Sequence, residues 1–525
     1  MGNDEIPKHE IALIIPPPGD VTMPMLGAYI LNRYLKKHGV VSYAVDLSIV
    51  FYHNVRKQDK LNKCLALCKK TEVPNQDLLL NYKSDSEDRI SKLILAEELL
   101  NRLQNNVVFS AGTVTFKSGL KSYEDIVIGM ENLSIFEPLL EEEITDVCRL
   151  GCSIVGLSVS FLSQLPFALL IAKRIKKHNS QIRIVFGGSL FEQNKSEYRY
   201  MSRFGALADN VICGSGEGTL LSLCLPHGNS NREGRADLER VPDFFDVKWE
   251  QYYTDSRTRC IPFSFRTSCY YGKCRFCNGD RSVEVHKLDN KLIEDTVRSL
   301  RALVAQCGIT HVYFTDAAII PRDLLKIADL IHGEFKWGIN ARADKSLTSI
   351  LPQLASNGCC MLRIGFESGS QKVLNAMLKG TNVDEYNTFL SVAKQTGIRI
   401  HAYIMFGFPG ETDEDRDATL RFMVNNKDKI YSYSLSVFTA YSGTPIYDQL
   451  MKQYVKGWNK DIDINMLYYD EHSYSNVLKY VALVDTFMAG AQNNKYCYGG
   501  RVFMDDPGIE PSRFDKNILS IIQNY

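Results

Sequence analysis

Apolar and polar positions along the first 50 residues fall in the order strand, helix, strand. The run "IALIIPPP" from Ile11 is followed by a helical period through "MPMLGAYILNRYLKKHG", closed by Gly39, and then by "VVSYAVDLS". A β-α-β unit of this length predicts parallel strands. The rhythm breaks over about 56–147, which is charged and mostly helical in pattern, with "DRISKLILAEELLNRLQNN" as its clearest amphipathic segment; it reads as an insertion. The alternation resumes with "SIVGLSVS", the helix "LPFALLIAKRIKKHN", the strand "IRIVFGG" and a short apolar "ADNVICGSGEG". Together these predict a small doubly wound, Rossmann-like sheet over 1–225. Residues 226–258 turn polar and irregular, as a linker does.

The second half repeats the strand and helix alternation. Its predicted strands are "IPFSFRTS", "HVYFTD", "KWGINAR", "MLRIGFES", "IRIHAYIMFG" and "YSYSLSVFT", separated by helical patterns such as "IEDTVRSLRALVAQCG". Successive parallel units of this kind favour an incomplete barrel or a second open sheet over 259–447. In either case a site belongs at the carboxyl ends of the strands. The extension 448–525 has no clear repeat; "YVALVDTFMAGAQ" looks helical, and the tyrosine-rich remainder could cover a barrel mouth.

Composition narrows the function classes. At 525 residues and 45% apolar, the chain is long enough for several buried cores. Its 61 basic and 61 acidic residues cancel, so nothing points to a polyanion surface. The opening "MGNDEIPKHE" lacks a secretory pattern, Ile6 stands where a myristoylation site wants Ser or Thr, and no apolar stretch approaches a membrane span. A cytoplasmic protein is expected. Its 14 cysteines are then expected as reduced thiols, metal ligands or catalytic groups.

Three of them lie in "CYYGKCRFCNG", directly after the first strand of the second half: Cys269, Cys274 and Cys277, spaced C-x4-C-x2-C. Three clustered thiols could bind zinc or an iron-sulfur cluster. Zinc in a structural site takes four ligands, and no Cys or His pair at finger-like spacing lies nearby. A [4Fe-4S] cluster on three cysteines leaves one iron open for an outside ligand. Lys273 and Arg275 could offset its negative charge, and amides of a tight loop around Gly272 could point at its sulfurs.

A strand followed by three clustered cysteines, with Phe276 just before the last of them and a run of β-α units behind, resembles the radical S-adenosylmethionine (SAM) superfamily over roughly 260–447. The usual spacing there is C-x3-C-x2-C, one residue shorter than here. "IGFESGS", "IMFGFPGET" and "SGTPIYDQ" are further resemblances, in order. The resemblance implies a partial (β/α)6 barrel, a cluster whose unique iron is chelated by SAM, reductive cleavage to a 5′-deoxyadenosyl radical, and an electron donor such as flavodoxin or ferredoxin. It also implies a small-molecule or peptide substrate. By position, Glu367 and Ser368 are similar to residues that contact the SAM ribose or amino acid, Arg342 could meet the SAM carboxylate, and Thr315 and Asp316 its amino group. Gly407, with Pro409 and Gly410, would shape a turn facing the adenine; a plain structural turn explains them as well.

Placed before such a core, "PMLGAYILNRYLKKHG", "VGLSVSFLSQLP", "VFGGSLF" and "CGSGEGTL" resemble the cobalamin-binding domain of the cobalamin-dependent radical SAM enzymes. Under that resemblance Ser158, Ser160, Gln164 and Glu217 would contact the cofactor, and Gly187 and Gly188 would let the corrin approach the backbone. These could also be ordinary strand-end turn residues. The D-x-H-x-x-G signature that supplies a histidine to cobalt is absent.

The activity implied is methylation of an unactivated carbon. Without cobalamin, epimerisation, cyclisation or rearrangement becomes the expectation, and Cys497 or the pair Cys359 and Cys360 could donate hydrogen; buried structural thiols explain them equally. Cys64 with Cys68, and Cys148 with Cys152, could hold a second cluster but read as core packing. Tyr431, Tyr433 and Tyr441 could line a pocket or pack a core. A methylthiotransferase is disfavoured, for the first half has no evident three-cysteine site and no basic RNA-binding tail follows. The reading from another class is a non-catalytic iron-sulfur or corrin sensor, which would have little use for the whole set of SAM-contact motifs.

Overall fold

The first sheet is fully parallel, and its strand order reveals where it opens. In this computed structural model the described residues are 11–71, 89–110, 112–117, 120, 122–192, 203–225, 241–253, 258–265, 268–277, 288–438, 440, 443–454, 480, 483–484, 488 and 495–496. The chain divides into two units, Met1–Ser256 with Lys460–Ile464 and Arg257–Asn459 with Asn465–Tyr525.

In the first unit the strands are β1 (Ile11–Ile15), β2 (Ser42–Asp46), β3 (Val107–Ser110), β4 (Thr113–Phe116), β5 (Ile154–Ser158), β6 (Arg183–Gly187) and β7 (Asn210–Val211). The main sheet runs β2-β1-β5-β6-β7, parallel throughout. Every residue of β1 is buried, as a central strand covered on both faces requires. The chain steps from β1 outward to β2 and returns to the other side of β1 as β5. Loops leaving β1 and β5 therefore diverge to opposite faces, and the crevice of a doubly wound sheet lies at such a switch point.

The segment 56–147 is mainly helical, as the pattern predicts, with one exception. β3 and β4 form an antiparallel hairpin, Val107 opposite Phe116 and Ser110 opposite Thr113. "VVFSAGTVTF" carries a short strand alternation that the long flanking helices mask. Its Phe109 is buried against Phe51 and Phe136 at ring separations of 5.8 and 5.5 Å. Phe51 in turn meets Phe167 of the helix Leu165–His178 at 5.4 Å. Aromatic packing thus fixes the insertion to the sheet's own covering helix.

The second unit contains β8 (Cys260–Phe263), β9 (His311–Phe314), β10 (Lys336–Ala341), β11 (Cys359–Glu367), β12 (Arg399–Phe406), β13 (Ser432–Val437) and β14 (Lys495–Tyr496). Its sheet follows sequence order from β8 to β14 with every pair parallel. That is the order of a partial (β/α) barrel. The two-residue β14 is a seventh strand, added from the extension whose pattern had read as mainly helical; it pairs Lys495 with Ser432 and Tyr496 with Tyr433.

Side chains alternate across these strands. Val312, Phe314, Trp337, Ile339, Leu362, Ile364, Ile400 and Ala402 are fully buried, forming the apolar layer beneath helices such as Asn290–Cys307 and Val383–Thr396. The alternate positions are polar, and register aligns Asn340, Arg363, His401 and Ser432 across four consecutive strands. Among the described residues no helix is long and apolar enough to cross a membrane.

Candidate active site

The cysteine loop leaves the carboxyl end of β8. Cys274 is buried while Cys269 and Cys277 are partly exposed, and all three are free thiols. Burial pushes the Cys274 thiol up, and the Lys379 and Arg342 charges oppose that rise. The widened first interval contains Tyr270 and Tyr271. Tyr270 bonds Asp344 through its hydroxyl. The Tyr271 ring lies under the Arg342 guanidinium, with Arg342 Cζ 3.7 Å from the ring centroid. The extra residue thus lets an aromatic ring seat a cation beside Cys274, whose Sγ is 3.8 Å from Arg342 Nη1.

Among the described residues no three His, Cys, Asp or Glu side chains converge as a single metal ion requires. Three thiolates on one loop are a donor set that a four-iron cluster takes. The donor chemistry also fits: soft thiolates flanked by buried cations, with Arg342 Nε buried and lacking a partner.

The strand ends supply the rest. Glu367 closes β11 at a register shift between Gly365 and Glu367, with φ of +65°. A glutamate in left-handed conformation at a bulge is strained and held by its surroundings. The bulge turns its carboxylate back over Gly365, where an added Cβ would lie 2.2 Å from Glu367 Oε1. The same oxygen accepts from Lys379 Nζ at 2.8 Å. Arg342 follows β10 and Thr315 and Asp316 follow β9, so the structure brings the cysteine loop, Arg342 and Glu367 to one end of the sheet.

Three of the residues expected to contact SAM make hydrogen bonds within the chain. The buried Asp316 carboxylate accepts from Phe265 N at 2.9 Å and Ser264 Oγ at 3.2 Å, and Thr315 Oγ1 donates to Phe263 O at 3.3 Å; both pin the exit of β8. Ser368 is fully buried, paired with Thr419 Oγ1 at 2.9 Å while accepting from Ser370 N at 3.0 Å. Its hydroxyl serves the turn after β11. Gly407, at φ +84°, follows β12 and donates its N–H to Glu411 Oε2 at 2.6 Å.

Glu411 was not singled out by the sequence pattern. Burial pushes its carboxyl up to about 7, against the Gly407 amide and Arg416, whose Nε is 3.3 Å away. Protonated in the fold and ionised in the unfolded chain between the ordinary carboxylate range and pH 7, it favours the fold at low pH, and that contribution is lost as pH rises toward 7. Glu411→Gln is therefore expected to flatten the decline, its unfolding midpoint gaining on the wild type between pH 5 and 7. Parallel midpoints across that range would contradict this burial argument.

Residues 265–423 match the radical SAM superfamily. The chain carries a radical SAM domain. A bacteriochlorophyllide d C-12(1)-methyltransferase of Chlorobaculum tepidum is 25% identical over 232 residues, which is 42% of this chain and 49% of the relative. The chain thus spans about half the length of that relative. An uncharacterised methyltransferase of Pyrococcus horikoshii is 24% identical across 64% of this chain and 79% of its own length. Among solved structures, the radical SAM methyltransferase TsrM of Kitasatospora setae, with cobalamin and a [4Fe-4S] cluster bound, aligns at a TM-score of 0.56 and 13% identity, covering 93% of this chain and 92% of that one. The cobalamin-dependent SAM radical enzyme OxsB aligns at 0.54 and 14% identity, covering 90% and 66%. At these identities the likeness concerns fold, and it extends to both units.

The first unit, taken by itself, gathers its predicted residues at the carboxyl end of its sheet. Gln164 is fully buried, accepting from Ser160 N at 2.7 Å and Phe161 N at 3.2 Å and donating to Pro16 O at 2.8 Å. It ties the exits of β1 and β5 together across the switch point. Gly188 has φ of +110°, and a Cβ there would lie 2.3 Å from Val159 O. That glycine admits a neighbouring backbone, where close approach by the corrin was expected. At Gly187 a Cβ would make only an ordinary 3.9 Å contact. Ser158 and Ser160 are half-buried at the exit of β5, with Ser158 Oγ facing Gly27. Glu217 is buried at the start of the helix Glu217–Cys224 and bonds Ser215. Phe161 is 52% exposed beside the crevice, a large aromatic the sequence pattern did not single out.

Among the described thiols outside the cysteine loop, several are packed into the interior. Cys64 is fully buried, with its thiol pushed up to about 12 by burial, and Cys359 is buried as well. Cys360 Sγ lies 3.4 Å from Trp337 O, and Cys152 lies 4.0 Å from the Tyr43 hydroxyl. Tyr433 is buried, and Tyr431 carries Arg399 at 4.8 Å. Cys497 and Tyr441 lie outside the described residues.

Proposed function

We propose that the chain is a cobalamin-dependent radical SAM enzyme that methylates an unactivated carbon of a small natural product or peptide. The observation that carries the reading is the order β2-β1-β5-β6-β7, with its crevice between β1 and β5, joined in one chain to a radical SAM domain. The named methyltransferase relative and the cobalamin-bound TsrM and OxsB support the same reading.

Cys269, Cys274 and Cys277 would hold the [4Fe-4S] cluster, and Arg342 and the bulged Glu367 would contact SAM at its open iron. Among the described residues Glu367 Oε2 has no hydrogen bond, which leaves one carboxylate oxygen for that contact. Ser158, Ser160 and the exposed Phe161 would meet cobalamin in the crevice that Gln164 braces. Bound together, the cluster and SAM supply a 5′-deoxyadenosyl radical, and cobalamin carries the methyl group. The chain's own residues orient these groups: the Arg342 guanidinium and the Glu367 carboxylate stand at the carboxyl ends of β10 and β11, on the side from which the cysteine loop leaves β8. Reduction would come from a donor such as flavodoxin or ferredoxin.

The test is anaerobic purification from cells fed hydroxocobalamin, followed by incubation with SAM and dithionite. A corrin absorbance at one equivalent and formation of 5′-deoxyadenosine are expected. A four-iron cluster without any 5′-deoxyadenosine would sink the radical reading. Cluster and 5′-deoxyadenosine without corrin uptake would remove cobalamin and turn the activity to hydrogen-transfer chemistry.

A further inference from the structure

The cysteine loop rests on a short strip of chain about 100 residues further on. Four consecutive carbonyls from the end of the helix Gln371–Ala376 are engaged, three by the loop and one by Arg342. Ala376 O accepts from Arg275 Nη1 at 3.2 Å, Met377 O from Arg275 N at 3.0 Å, Leu378 O from the Tyr271 hydroxyl at 2.8 Å, and Lys379 O from Arg342 Nη2 at 2.5 Å. Gly380 completes the strip: a Cβ there would lie 2.2 Å from the Tyr271 hydroxyl oxygen. Met377 and Phe276 share one apolar cluster, so the loop is seated by packing as well as by hydrogen bonds.

The strip also delivers a buried cation. Lys379 Nζ lies 5.8 Å from the Phe276 ring centroid and 2.8 Å from Glu367 Oε1, with both side chains almost wholly buried. Burial alone would pull the ammonium down; Glu367, the next largest influence, and the other neighbours more than offset it, so Lys379 stays charged. A buried charge of this kind acts on its neighbours with little screening. The sequence pattern marked Arg275 and Lys273 as the cations of the loop. Arg275 instead reaches away to the strip and to Gln449, and the cations bearing on Cys274 are Lys379 and Arg342.

We propose that Lys379 is a positioning residue of the cluster loop and that its ion pair with Glu367 sets the reduction potential of the cluster. The proposal rests on the assignment of Cys269, Cys274 and Cys277 as cluster ligands. Reduction adds one electron, and so one negative charge, to a site already anionic from its thiolates. A nearby cation favours the reduced form and a nearby carboxylate opposes it. Removing Lys379's charge also leaves Glu367 uncompensated, and both effects push the potential down. Removing Glu367's charge leaves Lys379 unopposed and pushes it up.

Anaerobically reconstituted wild type, Lys379→Met, Lys379→Arg and Glu367→Gln are to be titrated without SAM and followed by electron paramagnetic resonance. At a fixed potential Lys379→Met should lower the ratio of reduced to oxidised cluster about tenfold, a shift of about 59 mV for a one-electron couple. Glu367→Gln should raise that ratio, and Lys379→Arg should restore it to near the wild-type value. A purely structural role would lower cluster content in both charge-removing variants without opposite shifts. Should Lys379→Met hold no cluster, Glu367→Gln and Lys379→Arg still decide the matter. An unmoved or lowered potential in Glu367→Gln overturns the proposal. A wild-type protein that binds no four-iron cluster overturns the ligand assignment instead, a distinguishable failure.

Discussion

Cys274→Ala is expected to bind no [4Fe-4S] cluster and to form 5′-deoxyadenosine only at background level, while keeping its fold. Cys274 is the buried member of the three, and Arg342 Nη1 lies beside its sulfur. The other two cysteines of the loop, Cys269 and Cys277, would themselves be cluster ligands and so could not stand in for it. The loop keeps its three carbonyl contacts and the aromatic seat of Tyr271, none of which uses the thiol. Iron content and visible absorbance should therefore vanish while the far-ultraviolet circular dichroism stays native. Cys64→Ala, which empties a fully buried position in the first unit, should do the reverse: lower stability and leave the cluster intact. A Cys274→Ala protein with a wild-type iron content would remove the loop from the chemistry.

The second large effect is expected from two adjacent glycines. Gly188→Ala puts a Cβ 2.3 Å from Val159 O and 2.8 Å from Val159 N, at φ +110°. Both contacts are backbone, so neither can be relieved by a rotamer, and the left-handed conformation adds its own cost. About 2–4 kcal/mol is expected from overpacking and strain together. Gly187→Ala meets Ile212 Cβ at 3.9 Å and should change stability by roughly 1 kcal/mol or less. Denaturant unfolding of the two variants reads the contrast directly. Equal midpoints would mean that the exits of β5 and β6 do not need this close approach.

The parts of the fold that were legible are those governed by a local period. Each strand of the second unit from β8 to β13 overlaps its predicted run, with β8 and β11 starting one and two residues earlier at Cys260 and Cys359, because the helix-covered face of each strand is apolar. The hairpin β3–β4 was not legible, since ten residues of alternation lie between long amphipathic helices and only the packing of Phe109 reveals them. The three thiols, the glutamate and the arginine marked from the sequence fall at one end of the second sheet, as strand-end positions do. Their second partners were not legible. Asp316 and Ser368 have the right polarity at the right strand ends, yet their acceptors and donors are spent on Phe265 and Thr419, which no spacing rule could foresee. Lys379 carried no signal at all, because "LKGT" is an unremarkable helix exit until the cysteine loop is laid against it.

The carbonyl strip has a temporal side. Arg275 and Ala376 are 101 residues apart, and Tyr271 and Leu378 are 107 apart. During synthesis the cysteines emerge first, but the surface that gives their loop its shape exists only after β9, β10 and β11 have paired and the following helix has turned back. Cluster loading is thereby tied to completion of more than half the barrel. A chain stalled before that point exposes three thiols that have no reason to adopt the spacing a four-iron cube demands.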